Sequence, residues 1–285
     1  MEGYGILNTE NVTNARHLPV LMYHHVSNKP GLVTLSPRTF REQMKWLAES
    51  GWKTVTAAEV EAFYRGETLP RKSVMLTFDD GWLDNWLQVF PVLQEFRLHA
   101  HLFLVTGLVS DGPVRISADA KEYSHEKCQL LIELGRADEV MLRWSEVREM
   151  HRSGLVEFHS HTHTHRRWDS MPDICRSQDL LRADVLLSRE RMKEMLGCCS
   201  RHLCWPEGYY NHDYIEVAKE LGFSYLYTTE RRMNNPVSGD SLRIGRISTK
   251  ERENVGWLKR RLFYYTTPGF SSLLALHKGP RLTAD

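Results

Sequence analysis

The stretch "SVMLTFDDG", residues 73–81, decides the fold. Val74, Met75, Leu76 and Phe78 are apolar strand formers, and two adjacent acids, Asp79 and Asp80, follow them directly before Gly81. Similar strand-forming runs lie at 19–24, 53–55, 101–106, 155–160, 202–205, 224–228 and 242–247. Helical patterns separate them at 38–50, 57–65, 84–97, 144–152, 177–196 and 212–222. Ser36 before Pro37 is a helix start, a cap residue followed by a first-turn proline. Gly51 and Gly222 stand where helices should stop. Repeated strand-then-helix units predict a parallel sheet covered by helices, and their number predicts closure into a barrel. Chemistry in such barrels sits at the C-terminal ends of the strands, which is where Asp79 and Asp80 fall. Successive strand residues point to opposite faces, but Gly81 lets the backbone turn so that both carboxylates reach one pocket.

A second phrase, EFHSHTHTH at 157–165, follows another predicted strand and carries four alternating histidines. Imidazole is the commonest nitrogen ligand for zinc and its neighbours. Two pairs have a spacing of four, His161 with His165 and His159 with His163. Two histidines and one carboxylate leave an open coordination position for water. The two acids supply that carboxylate and one to spare, and a spare carboxylate near an activated water is a natural general base. For either motif alone a capping turn or an adventitious metal binder is a fair rival. Together they favour a metal site.

The rest of the chain bounds the reading. It has 285 residues, a formal net charge of +1, 41% hydrophobic and 26% charged residues, which favours neither nucleic acid nor acidic polymers as partners. The first seventeen residues lack the pattern of a signal peptide, and no stretch is apolar over the ~18 residues of a membrane span. The five cysteines are odd in number and lack a metal-type CxxC, so reduced thiols and a cytoplasmic location are expected. Segment 107–143 is long enough to form a wall or lid beside the pocket. The aromatic, basic segment after about 250 is expected to pack on the barrel as a closing helix, with a peripheral membrane contact as the lesser alternative.

These motifs resemble those of the NodB-homology polysaccharide deacetylases, carbohydrate esterase family 4, and in particular the poly-N-acetylglucosamine deacetylase branch. The resemblance rests on Thr77-Phe78-Asp79-Asp80-Gly81, on His161-Thr162-His163-Thr164-His165, and on Cys204-Trp205-Pro206-Glu207-Gly208-Tyr209-Tyr210-Asn211. It covers roughly residues 18–250, with 1–17 as a lead-in and 251–285 as a tail. It implies a distorted (β/α)7 barrel and a metal-dependent hydrolase that releases acetate from an N-acetylated sugar or glycan. By the same resemblance Asp80, His161 and His165 bind one divalent metal, zinc before nickel, cobalt or iron, although His159 and His163 also fit the histidine motif. Asp79 is then the catalytic base, and the backbone N–H of Glu207 helps hold the oxyanion. Trp205, Pro206 and Tyr209 line the substrate pocket, with Trp82 and Tyr210 as further candidates for stacking on sugar. The chain departs from the family in having Cys204 where an arginine orients the base, leaving Arg143 or Arg246 to supply that charge. The proton donor to the leaving amine is His24 on the first strand, preferred over His277 in the tail. His25 is expected to point the other way. Two other readings remain open: a non-catalytic glycan-binding protein on this fold, and a hydrolase of another amide or cyclic imide. Oligomeric state is not legible.

Overall fold

The computed structural model describes residues 14–116, 121–171, 174–236, 239–250 and 253–267. Its strands are β1 (Val20–Tyr23), β2 (His25–Val26), β3 (Thr34–Leu35), β4 (Lys53–Thr54), β5 (Ser73–Asp80), β6 (Ala100–Leu104), β7 (Val156–Ser160), β8 (His202–Cys204), β9 (Tyr225–Tyr227) and β10 (Ile247–Ser248). The α-helices are α1 (Pro37–Glu49), α2 (Ala57–Tyr64), α3 (Phe90–Phe96), α4 (His125–Glu133), α5 (Trp144–Arg152), α6 (Ile174–Leu196), α7 (His212–Glu220) and α8 (Val255–Thr266).

Seven strands pair in the order β10-β1-β5-β6-β7-β8-β9, all parallel, and β4 pairs with β5 off this path. One continuous segment joins the two ends of that order. Ile244 donates to Leu226 O beside β9 at 2.8 Å, and three residues later Ile247 pairs with Leu21 of β1. The sheet thus closes on itself as a distorted seven-strand barrel, and Arg246 sits on the seam. The strand expected at 242–247 is regular only at Ile247–Ser248, because the segment must change partners midway.

Strand alternation sorts the core into two clusters. Leu21, Tyr23, Val74, Leu76, Phe78, Leu102 and Leu104 pack outward with residues of α1, α3, α5 and α8. Val20, Met75, Phe103, Cys204, Tyr225 and Tyr227 form a separate cluster inside the barrel. All eight positions of β5 are buried, as a parallel strand covered on both faces requires. Burying each large apolar side chain contributes about 1.5–3 kcal/mol, so a one-residue slip that exchanged the faces is strongly disfavoured.

Local chemistry sets the helix boundaries. Ser36 Oγ accepts from Thr39 N ahead of Pro37, and Thr56 and Glu59 form a capping box on α2. The helix expected at 84–97 is divided: Asn85–Val89 winds as a π-helix before α3. Pro91 has no N–H for the α-type bond back to Leu87, which accounts for the break. The short β2–β3 pair was not legible as strands. In the tail, α8 buries Leu258, Leu262 and Tyr265 against the outer cluster that includes α1, while His277 lies outside the described residues. Cys128, Cys198, Cys199 and Cys204 are free thiols. Among the described residues no helix is long and apolar enough to cross a membrane.

Candidate active site

Asp79 and Asp80 end β5, and the backbone turns one residue earlier than the glycine. Asp80 itself has φ 75°, followed by Gly81 at φ 86°. Continued alternation would turn Asp80 outward beside Phe78; the left-handed turn brings it back toward the barrel mouth. Gly81 has a second reason to lack a side chain, since a Cβ there would lie 2.6 Å from Leu104 Cδ2. Five non-glycine residues have positive φ among the described ones, and four belong to the three motifs: Asp80, Thr162, His165 and Glu207. Such conformations cost about 1–3 kcal/mol each and persist where a site requires them.

The two carboxylates have different partners. Asp80 Oδ2 accepts from Trp82 Nε1 at 2.8 Å, and its Oδ1 faces His161 Nε2 at 3.4 Å and His165 Nε2 at 3.5 Å. His161 Nδ1 lies 2.8 Å from Cys204 O, which can only accept. A proton is therefore held on Nδ1, and it is Nε2 that is presented to Asp80. Ligands 2.0–2.1 Å from a tetrahedral ion stand about 3.3 Å apart, so these three atoms fit one divalent cation. Burial opposes charge on His161, yet Cys204, Asp80 and Asp79 together raise its pKa well above the ordinary imidazole value, so this point attracts positive charge. Burial lowers His165 to about 4, leaving it neutral as a ligand must be.

Asp79 is held by Arg246. Arg246 NH1 donates to Oδ1 at 2.7 Å and NH2 to Oδ2 at 2.8 Å, while Nε donates to Thr228 O at 2.9 Å. NH2 also lies 3.0 Å from Cys204 Sγ, so the residue that stands in the motif's arginine position touches the guanidinium that reaches Asp79. Burial alone would raise the Asp79 pKa, but Arg246, His161 and His24 bring it below the usual carboxylate value. His24 Nε2 is 3.8 Å from Asp79 Oδ2. Of the two arginines considered from sequence, Arg143 instead bonds Asp138 at 2.5 Å and does not line the cavity at Asp79.

The histidine run divides by position. His161 and His165 meet Asp80. His159, on the same strand face as His161 and two residues nearer the strand's start, bonds His101 at 2.9 Å and Ser200 at 2.6 Å. His163 bonds Thr106 Oγ1 at 3.0 Å. The pairing of His159 with His163 is therefore not formed. Asp184 of α6 fixes the loop: its carboxylate accepts from His163 N, Thr164 N, Thr164 Oγ1 and Trp168 Nε1 at 2.8–2.9 Å. Nothing in the sequence separates Asp184 from an ordinary helical acid.

A cavity of about 490 Å³ opens over these groups, lined by His24, Asp79, Asp80, His125, His161, His165, Trp205, Glu207 and Arg246 among others. His125 comes from α4, so segment 107–143 does form a wall of the cleft. Its partner chain runs His125 Nδ1 to His25 Nε2 at 3.2 Å and His25 Nδ1 to Asp84 at 2.6 Å. His25 thus faces away from Asp79 and stacks on Trp82 at 4.2 Å. Trp205 lines the cavity at its floor, fully buried, and its Nε1 has no protein partner. Pro206 is buried, Trp82 and Tyr210 are core residues, and Tyr209 lies under Arg167 at 3.4 Å rather than on the cavity wall.

Fold and site together define a class: parallel-barrel proteins that gather one carboxylate with two imidazoles, and a second carboxylate with arginine, at the barrel mouth. A family model described as polysaccharide deacetylase matches residues 66–226, and the chain belongs to that family. It is 27% identical over 251 residues to the poly-beta-1,6-N-acetyl-D-glucosamine N-deacetylase of Escherichia coli strain K12, covering 78% of this chain and 35% of that protein. It is 24% identical over 238 residues to the enzyme of the same name from Staphylococcus aureus strain MRSA252, covering 82% and 74%. The chain thus spans about a third of the E. coli relative. Among solved structures, IcaB from Ammonifex degensii superposes with a TM-score of 0.69 at 26% identity, over 87% of this chain and 98% of that one. The Streptococcus pyogenes deacetylase PplD, solved with acetate, shares the fold at a TM-score of 0.70 and 21% identity, over 89% and 100%.

Proposed function

We propose that this chain hydrolyses the acetamide of an N-acetylated glycan, yielding acetate and a free amino sugar, and that it does so with a divalent metal, zinc first among the candidates. The observation that carries this reading is the unequal treatment of two adjacent carboxylates in one cavity. Asp80 faces two imidazole nitrogens at ligand spacing, while Asp79 is ionised, held by Arg246 and within 3.8 Å of His24. A binding protein needs the first arrangement or neither; it has no use for the second.

Asp80, His161 and His165 would hold the ion, which when bound supplies Lewis-acid polarisation of the amide carbonyl and acidifies water. Asp79 accepts a proton from the water that attacks the carbonyl carbon. Arg246 keeps Asp79 ionised and aimed. The Glu207 N–H donates to the developing oxyanion, and His24 gives a proton to the departing nitrogen as the C–N bond breaks. Similarity to the two named deacetylases supports a poly-N-acetylglucosamine polymer as the substrate class. The test is acetate release from β-1,6-linked N-acetylglucosamine oligomers, with and without a chelator. Release that chelation abolishes and zinc restores supports the reading; oligomer binding with no acetate released favours the glycan-binding alternative.

A further inference from the structure

The opposite end of the barrel carries a second cluster. His99 precedes β6, His101 lies within it, and Glu157 of β7 is the register partner of His101. Glu157 Oε2 is 3.0 Å from His99 Nε2 and 3.4 Å from His101 Nδ1. This repeats the pattern at the mouth, where one oxygen of Asp80 faces two imidazole nitrogens at 3.4 and 3.5 Å. Ring geometry repeats as well: His99 and His101 are 5.1 Å apart at 68°, His161 and His165 4.9 Å apart at 65°. His101 Nε2 lies 2.8 Å from Val55 O, an acceptor only, so its proton is there and the Nδ1 lone pair is shared between His159 Nε2–H at 2.9 Å and the side of Glu157 at 3.4 Å. That is the same backbone anchoring that frees His161 Nε2. Each cluster also joins an enclosed histidine to a partly exposed member: His101 is 0% and Glu157 31% exposed, against 2% for His161 and 30% for His165.

We infer that His99, His101 and Glu157 form a second site for a zinc-class divalent cation, a structural one, at the N-terminal end of the barrel. The three ligand atoms lie within 4.8 Å of one another. The ion replaces the proton that His99 shares with Glu157 and competes with His159 for the His101 lone pair. It ties β6 to β7 and, through Ala57 N on Glu157 and Val55 O on His101, to the loop between β4 and α2. None of these residues lines the cavity at the mouth.

The experiment is zinc stoichiometry on the untagged full chain, stripped of metal and then titrated, with metal content read by elemental analysis. Wild type takes up two equivalents; His99→Ala and Glu157→Gln each take up one; a variant carrying Asp80→Asn and His165→Ala also takes up one, at the base. His99→Ala keeps its acetate release at low temperature, since it touches nothing at the mouth, and loses the rise in thermal midpoint that the second equivalent gives wild type. A single equivalent in wild type that both His99→Ala and Glu157→Gln retain overturns the inference. A single equivalent that those variants lose, and that the Asp80/His165 variant keeps, sustains the base site while removing the metal reading of the mouth.

Discussion

The two ends of the barrel each set one carboxylate oxygen against two imidazole nitrogens at 3.0–3.5 Å, yet they differ in what surrounds them. At the mouth, Asp80 and His165 are themselves left-handed, Thr162 between the histidines is too, and a second carboxylate with its own arginine stands beside the donor set. At the base, His99, His101 and Glu157 have ordinary backbone and are tied to Val55 O and Ala57 N, and among the described residues Glu157 is the one carboxylate paired with the two histidines. The mouth opens on a cavity of about 490 Å³ that the base residues do not line. Ligand-like geometry alone therefore does not distinguish chemistry from structure. What distinguishes them is the ionised group that is left over, the room for substrate, and the strain tolerated to bring them together.

That contrast can be broken from the mouth outward. The largest stability effect is expected for Arg246→Ala, which leaves Asp79 buried without its partner. Removing one member of a buried pair costs about 3–5 kcal/mol, to be read by chemical denaturation, together with a loss of acetate release. An Arg246→Ala protein of wild-type stability and activity would mean that Asp79 needs no partner. Asp184→Ala comes next. Four donors of the histidine loop lose one acceptor, each buried orphan costing about 1–3 kcal/mol, so stability falls and the mouth retains zinc less well while the base is unaffected. Trp82→Phe removes the hydrogen bond to Asp80 Oδ2 together with part of the buried ring stacked on His25; loss of such a supporting bond lowers metal affinity about 10–100-fold, measured by competition with a chelating dye. The smallest effect is expected for Glu207→Ala. The group that matters there is the backbone N–H, so kcat should stay within about twofold, and a large loss would assign a role to the carboxylate instead.

Much of this was legible in the sequence, for reasons that particular residues explain. Strand β5 announces itself because Val74, Met75, Leu76 and Phe78 form an apolar run in a strand buried on both faces. Asp79 and Asp80 are visible because charge at the end of such a run demands a reason. His159 and His161 could not be told apart by spacing, since residues two apart share a strand face; only the left-handed turn at Thr162 carries His165 to the same carboxylate as His161. Arg246 was one of two arginines considered, and its position on the seam between β9 and β1, remote in sequence from Asp79, is a property of closure that no local pattern encodes. His125 and Asp184 had no signal, one in a long connection and the other on a helix rich in charged residues. The base cluster was missed for the opposite reason to the mouth: its two histidines sit at and just before the start of β6, and its carboxylate comes from β7, some fifty-six residues further on, so no single motif marks the three.

The central claim is that two neighbouring carboxylates do different work. It is tested most directly by measuring bound zinc at the mouth and acetate release in Asp79→Asn and Asp80→Asn, each in the His99→Ala background so that the base does not contribute. The account predicts that Asp79→Asn keeps its zinc and loses about 10²–10⁴-fold in rate, as expected for removal of a general base, whereas Asp80→Asn loses both zinc and activity. An Asp79→Asn protein that still releases acetate at the rate of its parent, or an Asp80→Asn protein that keeps zinc as tightly, would contradict it.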